Sequence, residues 1–450
     1  MVLNPTGRCV RRVLSLACGA AFMLNSGAAS AIGLLQAYDA ALKNDPTYRG
    51  AFFEKEAGEE YKNIGRAGLL PSLSANYSGS KAHSNLTEPT PIGPVTSPLK
   101  YISRTEVVEL RQSILNLDGI ARYKQGVAQS QYSVAQFDSM RQDLILRVTG
   151  AYLDALFAEE QLNLATAQRD LYAEQRRVND QLFKKGEGTK TDMIETQSRL
   201  DLAEAQILEA KDNVNNARVT LAGMIGMEVD GVDGLGPTFR IMDSTVDGFD
   251  GWKELALKNS PDLQAQRFAI ESAHQEINKN KAGHAPRVDF VASYSKDASQ
   301  SITAYNQDSN TRSIGVQISI PLYAGGGVSA QVRQASANYN KAQADLDAKT
   351  DKVLVDLRKQ YNTVISSVPK INALMKAVDS ASLLIKATEQ SIRGGVRINL
   401  DLLNAQQQLF TNKKDLAQTR YSYLLAVMRL RAGAGILSTD DVREVAQYFR

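Results

Sequence analysis

The chain has 450 residues, 43% of them hydrophobic and 22% charged, and a formal net charge of +3. Its two cysteines, Cys9 and Cys18, fall in an N-terminal segment that reads as a secretion signal, so the mature chain is expected to have no disulfide, thiolate chemistry or Cys-ligated zinc. That segment also holds three arginines and no acid; the 52 Lys and Arg become 49 against 49 Asp and Glu, and a neutral chain gives no footprint for nucleic acid.

Arg8, Arg11 and Arg12 precede an apolar run at 13–24 that is too short to span a bilayer. Ala29-Ser30-Ala31 follows as a small-residue cleavage site, so residues 1–31 are expected to be a signal peptide. No later run approaches the ~20 apolar residues of a transmembrane helix. Such a chain is either soluble outside the cytoplasm or a β-barrel in an outer membrane.

The remainder reads as two copies of one unit, 32–240 and 241–450. Ala41-Leu42-Lys43-Asn44-Asp45-Pro46 recurs as Ala256-Leu257-Lys258-Asn259-Ser260-Pro261, and Gly68 and Pro71 recur as Gly283 and Pro286. Each copy begins with a helix. In the first, Leu73, Ala75, Tyr77 and Gly79 alternate with polar residues over 72–80, which predicts a strand. A loop rich in Pro and Thr is expected next, around Pro89, Pro91, Pro94 and Pro98. A second strand is expected at 105–115, with Val108, Leu110 and Ile114 on one face. A helix at about 120–184 would then reach roughly 100 Å at ~1.5 Å per residue. Beyond a glycine-rich turn, Met193, Leu200, Ile207, Val214 and Leu221 stand seven apart, with Thr196, Ala203, Ala210 and Ala217 as a second row of small residues.

The joint between the copies lies at 231–251. The second copy has strands around Val288–Ser295 and Ile314–Ile320, separated by a polar loop at about 297–311. A long helix at 328–393 contains Pro369, which is expected to kink or interrupt it. The second heptad row is Leu402, Leu409, Leu416, Tyr423 and Leu430. Thr191 or Asn399 is expected to cap the heptad helices, and Tyr77, Tyr101, Tyr294 and Tyr305 to form interfacial girdles.

Four strands cannot close a barrel, and open edges are not tolerated in lipid. Several chains sharing one barrel, with their helices continuing as a tube, satisfy both constraints; periodicity does not fix the number of chains. His83, His274 and His284 have no metal or triad spacing, so no enzyme is read. A coiled-coil stalk without a pore is the alternative, and it would leave the apolar strand faces in water.

The opening at 34–46, Leu69-Leu70-Pro71-Ser72-Leu73, Ile320-Pro321-Leu322-Tyr323 before Gly325-Gly326, and Gly395-Val396-Arg397 before Asp401-Leu402-Leu403 resemble the TolC-like outer-membrane efflux proteins. The resemblance covers nearly all of the mature chain. It implies a homotrimer with a twelve-stranded barrel in outer-membrane lipid and a helical tunnel in the periplasm. It also implies a periplasmic adaptor and an inner-membrane transporter as partners, with no cofactor. The tips around Gly186, Thr191, Asp192 and Gly395 would dock the adaptor. Asp401 alone reads equally as an acid favoured at a helix N-terminus; in the family this position forms an acidic constriction, where a ring of like charges selects cations. Asn404 stands where the family has a second acid, Ile392 where it often has a tyrosine, and Arg397 matches the arginine that latches the closed tip. Drug efflux and protein secretion remain open as the cargo class.

Overall fold

The computed structural model describes residues 31–236, 239–241, 248–299 and 307–449; nearly all of the expected signal segment, Tyr305 and part of the 231–251 joint lie outside them. The elements are α1 (Leu34–Asn44), α2 (Pro46–Glu59), α3 (Tyr61–Ala67), β1 (Ser72–Thr90), β2 (Gly93–Leu115), α4 (Leu117–Lys185), α5 (Lys190–Ile225), α6 (Gly248–Asn259), α7 (Pro261–Lys281), β3 (Arg287–Ser299), β4 (Gln307–Ser319), α8 (Gly327–Arg393), α9 (Asn399–Gly433) and α10 (Thr439–Ala446). Among the described residues no helix is long and apolar enough to cross a membrane.

The repeated phrase is a helix junction. Asp45 and Ser260 occupy N-cap positions, and Pro46 and Pro261 follow at the start of the next helix, where a missing N–H costs nothing. Asp45 is 2% exposed. Its Oδ1 accepts the Tyr48 N–H at 2.7 Å, and Arg147 donates to its two oxygens at 2.8 and 3.1 Å. Burial pushes this carboxyl up, but the guanidinium and the Tyr48 N–H outweigh it and hold the pKa below the ordinary value. The stabilisation is therefore fully present above the ordinary carboxylate range and is lost as pH falls through the lowered pKa. Arg147→Met strands a buried carboxylate and is expected to lower stability by about 3 kcal/mol near neutral pH. Thermal melts at pH 7 and in acid test this: the deficit should shrink in acid, and an unchanged melt at pH 7 would remove the pair from the stability of this junction.

The strands form one antiparallel sheet in the order β1-β2-β3-β4, so β1 and β4 each keep one unpaired edge. The expected Pro- and Thr-rich loop is instead the upper part of a continuous hairpin, with Pro89 opposite Pro94 and Thr90 opposite Gly93. Above Ser103, β2 is paired only with β1, so Pro94 and Pro98 sit where one side of the strand needs no hydrogen-bond donor. The expected polar loop in the second copy is likewise shorter, because β3 continues to Ser299 and β4 starts at Gln307.

The register places Leu73, Tyr77, Val108, Tyr294, Ile314, Val316 and Ile318 on one face, and most of them are largely exposed. The opposite face carries Ser74, Ser78, Thr105, Glu109, Ser293, Ser313 and Gln317. From Ile314 to Ile320 the apolar positions run about 20 Å along the strand at ~3.3 Å per residue, with the charged Arg312 just above them. Tyr77 and Tyr294 mark its upper border. Tyr101, expected in the same girdle, lies on the opposite face, because its register parity follows Ser103 and Thr105. At the base of the polar face, Asp289 accepts from Arg287 Nε at 2.9 Å and from Ser113 Oγ at 2.8 Å.

The helices α4 and α8 leave the sheet and each run about 100 Å. The helix α8 is unbroken through Pro369. Ser367 at 6% and Ile371 at 1% exposure flank the proline, and packing on both sides holds the helix where propensity alone would end it. The largest core lies partway along the helices. It joins Tyr38 of α1, Leu144, Val148 and Tyr152 of α4, Leu221 of α5, Tyr423 and Met428 of α9, and Val442 of α10. Tyr152 donates its hydroxyl to the Asp233 carbonyl at 3.1 Å and meets Phe449 edge-on.

Candidate functional site

The two helical hairpins end side by side, at the far end of α4 and α8 from the sheet. At the first tip, α4 is closed by Gly186 at φ +77°, a left-handed conformation that glycine adopts without strain. Thr189, and not Thr191, caps α5. Its Oγ1 accepts the Asp192 N–H at 3.1 Å, while Asp192 Oδ2 accepts from the Thr189 hydroxyl at 2.6 Å and from its N–H at 3.3 Å. Asp192 is thus committed to a capping box, and Thr191 is exposed beside it.

At the second tip, Gly395 at φ +75° turns the chain, and Val396 N–H returns to the Ser391 carbonyl at 3.0 Å. Ile398 is the N-cap of α9 and supplies no side-chain bond. Asn399, expected as the cap, is instead buried. Its Oδ1 accepts from Gln175 Nε2 at 2.9 Å, and its Nδ2 donates to Thr196 Oγ1 at 3.2 Å. Asn179 Nδ2 donates to the same hydroxyl at 2.8 Å, which itself donates to the Asp192 carbonyl at 2.7 Å. Thr196 is fully buried. Four polar side chains from α4, α5 and α9 therefore bolt the two hairpins together just behind the tips.

A second polar rung lies one to two turns further from the tips. Gln168 Nε2 donates to Gln407 Oε1 at 2.7 Å, and the Tyr172 hydroxyl donates to the same atom at 3.3 Å. Beyond it a cleft of about 310 Å³ opens between α4, α5 and α9, lined by Gln206, Asn213 and Lys414. Reading acids, tips and heptad leucines missed both rungs. The signal was present: Gln168, Tyr172, Gln175 and Asn179 are spaced four, three and four apart, the core positions of a heptad, but filled with polar residues.

Asp401 lies in the first turn of α9 and is half-buried, beside the buried Leu402 and Leu403. Asn404, one turn on, is exposed and accepts from Arg199 Nη2 of α5 at 3.1 Å. Arg397 is exposed and makes no hydrogen bond or ion pair with the described residues of its own protomer. Val396 and Ile398 beside it are 82% and 62% exposed. Among the described residues no cluster of His, Cys, Asp or Glu has the geometry to hold a metal, and His274, expected in or beside a strand or loop, lies on α7 near Tyr339.

The family model for outer membrane efflux proteins matches residues 37–227 and 252–435. The chain belongs to the outer membrane efflux protein family. The alkaline protease secretion protein AprF of Pseudomonas aeruginosa is 40% identical over 442 residues, covering 98% of this chain and 92% of AprF. The proteases secretion protein PrtF of Dickeya chrysanthemi is 38% identical, covering 95% and 93%. Among solved structures, the CmeC outer membrane channel of Campylobacter jejuni superposes with a TM-score of 0.78 at 17% identity, covering 93% of this chain and 90% of that one. As an outer membrane efflux protein the chain is a channel component. Its sheet lies in the outer membrane and its helices in the periplasm, and the stalk alternative is not favoured.

Proposed function

We propose that three copies of this chain form one conduit that passes a polypeptide, of the secreted-protease class, from an inner-membrane transporter and a periplasmic adaptor to the exterior. The carrying observation is the 40% identity to AprF across 98% of the chain, together with PrtF, both named for protease secretion. The unpaired edges of β1 and β4 support assembly, since a copy on each side closes them. So do Ile194, Leu202, Leu208 and Val219 of α5 and Val355, Ile365 and Leu383 of α8, each more than half exposed on a single protomer. Three copies of four strands give the twelve-stranded barrel. Arg397 latches each tip to its neighbour, and the Asp401 carboxylates ring the constriction. Asn404, neutral and held by Arg199, leaves that ring with one acid per copy. Gly186, Thr191, Asp192 and Gly395 lie where an adaptor meets the tips. The tunnel itself is passive, and the transporter supplies the energy.

Expression of this chain in Pseudomonas aeruginosa lacking AprF is expected to restore alkaline protease to the medium. Intact chain in the outer membrane with the protease retained in the cells would count against the protein-secretion reading.

A further inference from the structure

The cations of the sheet divide by face. Arg111 and Arg287 lie on the polar face at its base, and both are paired, Arg111 with Glu109 at 3.1 Å and Arg287 with Asp289 at 2.9 Å. The other five, Lys81, Lys100, Arg104, Lys296 and Arg312, lie on the face of the apolar band, all of them above it. Each of these is exposed, and none makes an ion pair with the described residues. Arg312 stands over the Tyr294 ring, 5.9 Å from its centre, at the upper border of the band.

The register sets the five in one staircase. Arg312 is opposite Tyr294, two residues from Lys296, and Lys296 is opposite Glu106, two residues from Arg104. Arg104 is opposite Gly79, two residues from Lys81, and Lys81 is opposite Ile102, two residues from Lys100. Each cation is thus the diagonal neighbour of the next, ~7–8 Å away, across all four strands. A phosphate seated between two such neighbours is within reach of both long side chains. Glu106 and Asp308 are the acids on this part of the face, so five cations against two acids leave each copy a surplus of three. The opposite face has no such surplus: beyond Glu109 its charges are Asp297 and Glu88, both acids. Charges that merely mark the passage from lipid to water would show both signs on both faces.

We infer that this staircase is a docking belt for the phosphate groups of anionic lipid headgroups in the outer leaflet. It rests on the shared barrel proposed above, which turns this face to lipid. Continuity with the apolar band selects a lipid over a soluble anion. The belt begins where the band ends, on the same face, so a headgroup held there keeps its acyl chains against Ile314, Val316 and Ile318. The aliphatic stems of Lys and Arg extend that apolar surface up to the charged heads.

Native mass spectrometry of the detergent-purified chain with added lipid A, a glycolipid with two phosphates, tests this. The native trimer is expected to retain lipid A, and to retain much less of the zwitterionic phosphatidylethanolamine at the same concentration. Arg104→Gln combined with Lys296→Gln is expected to lower the retained lipid A roughly tenfold. Arg104→Lys combined with Lys296→Arg should retain it as the native chain does. Equal retention by the native chain and the glutamine variant would overturn the belt. So would displacement of lipid A by an equimolar amount of inorganic pyrophosphate, which would mark a site for free anions. The masses separate the failures: a trimer indifferent to the substitutions sinks the belt alone, and a monomer sinks the barrel on which it rests.

Discussion

Replacing Arg397 with alanine is expected to raise the conductance and the open time of the purified channel. The side chain stands between the Gly395 turn and α9, exposed and without a partner among the described residues of its own protomer. In the trimer proposed above, an adjacent copy would supply its partner. One exposed contact contributes at most about 1 kcal/mol. Three related contacts that break together contribute about 3 kcal/mol, roughly a hundredfold in the ratio of closed to open tips. Planar-bilayer recording of trimers with native mass checks this, and a variant that opens no more than the native channel would remove Arg397 from the gate.

Thr196→Val should loosen the same end of the molecule from within. Valine fills the volume of threonine but removes the hydroxyl that accepts from Asn179 Nδ2 at 2.8 Å and from Asn399 Nδ2 at 3.2 Å. Leaving buried amide donors unpaired costs about 1–3 kcal/mol. Within the first hairpin the packing of Tyr172 on Leu200 and Ala203 still joins α4 to α5 after Asn179 loses its acceptor, whereas the Asn399 bond that is lost runs between the hairpins. The expected result is a higher open probability, with Thr196→Ser behaving as the native chain. A lower melting temperature with native gating would make the network a support for the fold alone.

The helices were legible nearly to the residue: the seven-residue rows from Met193 to Leu221 and from Leu402 to Leu430, which survive any detail of packing, fall inside Lys190–Ile225 and Asn399–Gly433, and the longer helices before them, read at 120–184 and 328–393, became Leu117–Lys185 and Gly327–Arg393. The lower halves of the strands were legible for the same reason, through strict alternation. Their upper ends were not. Pro89, Pro91, Pro94 and Pro98 argue for a loop wherever a strand has two neighbours, and the single-sided pairing above Ser103 is a tertiary fact. The tip residues were placed by resemblance and the glycines by their turns. The network around Thr196 was hidden, because Gln and Asn on a helix ordinarily face water, and only the three-dimensional meeting of the hairpins buries them.

The central claim is a pore through a shared barrel, gated at the helical tips. Its most direct test is single-channel recording of the detergent-purified native chain in a planar bilayer. The account predicts small, stable, cation-selective openings from a protein that requires detergent. A protein that stays soluble without detergent and carries no current would contradict it.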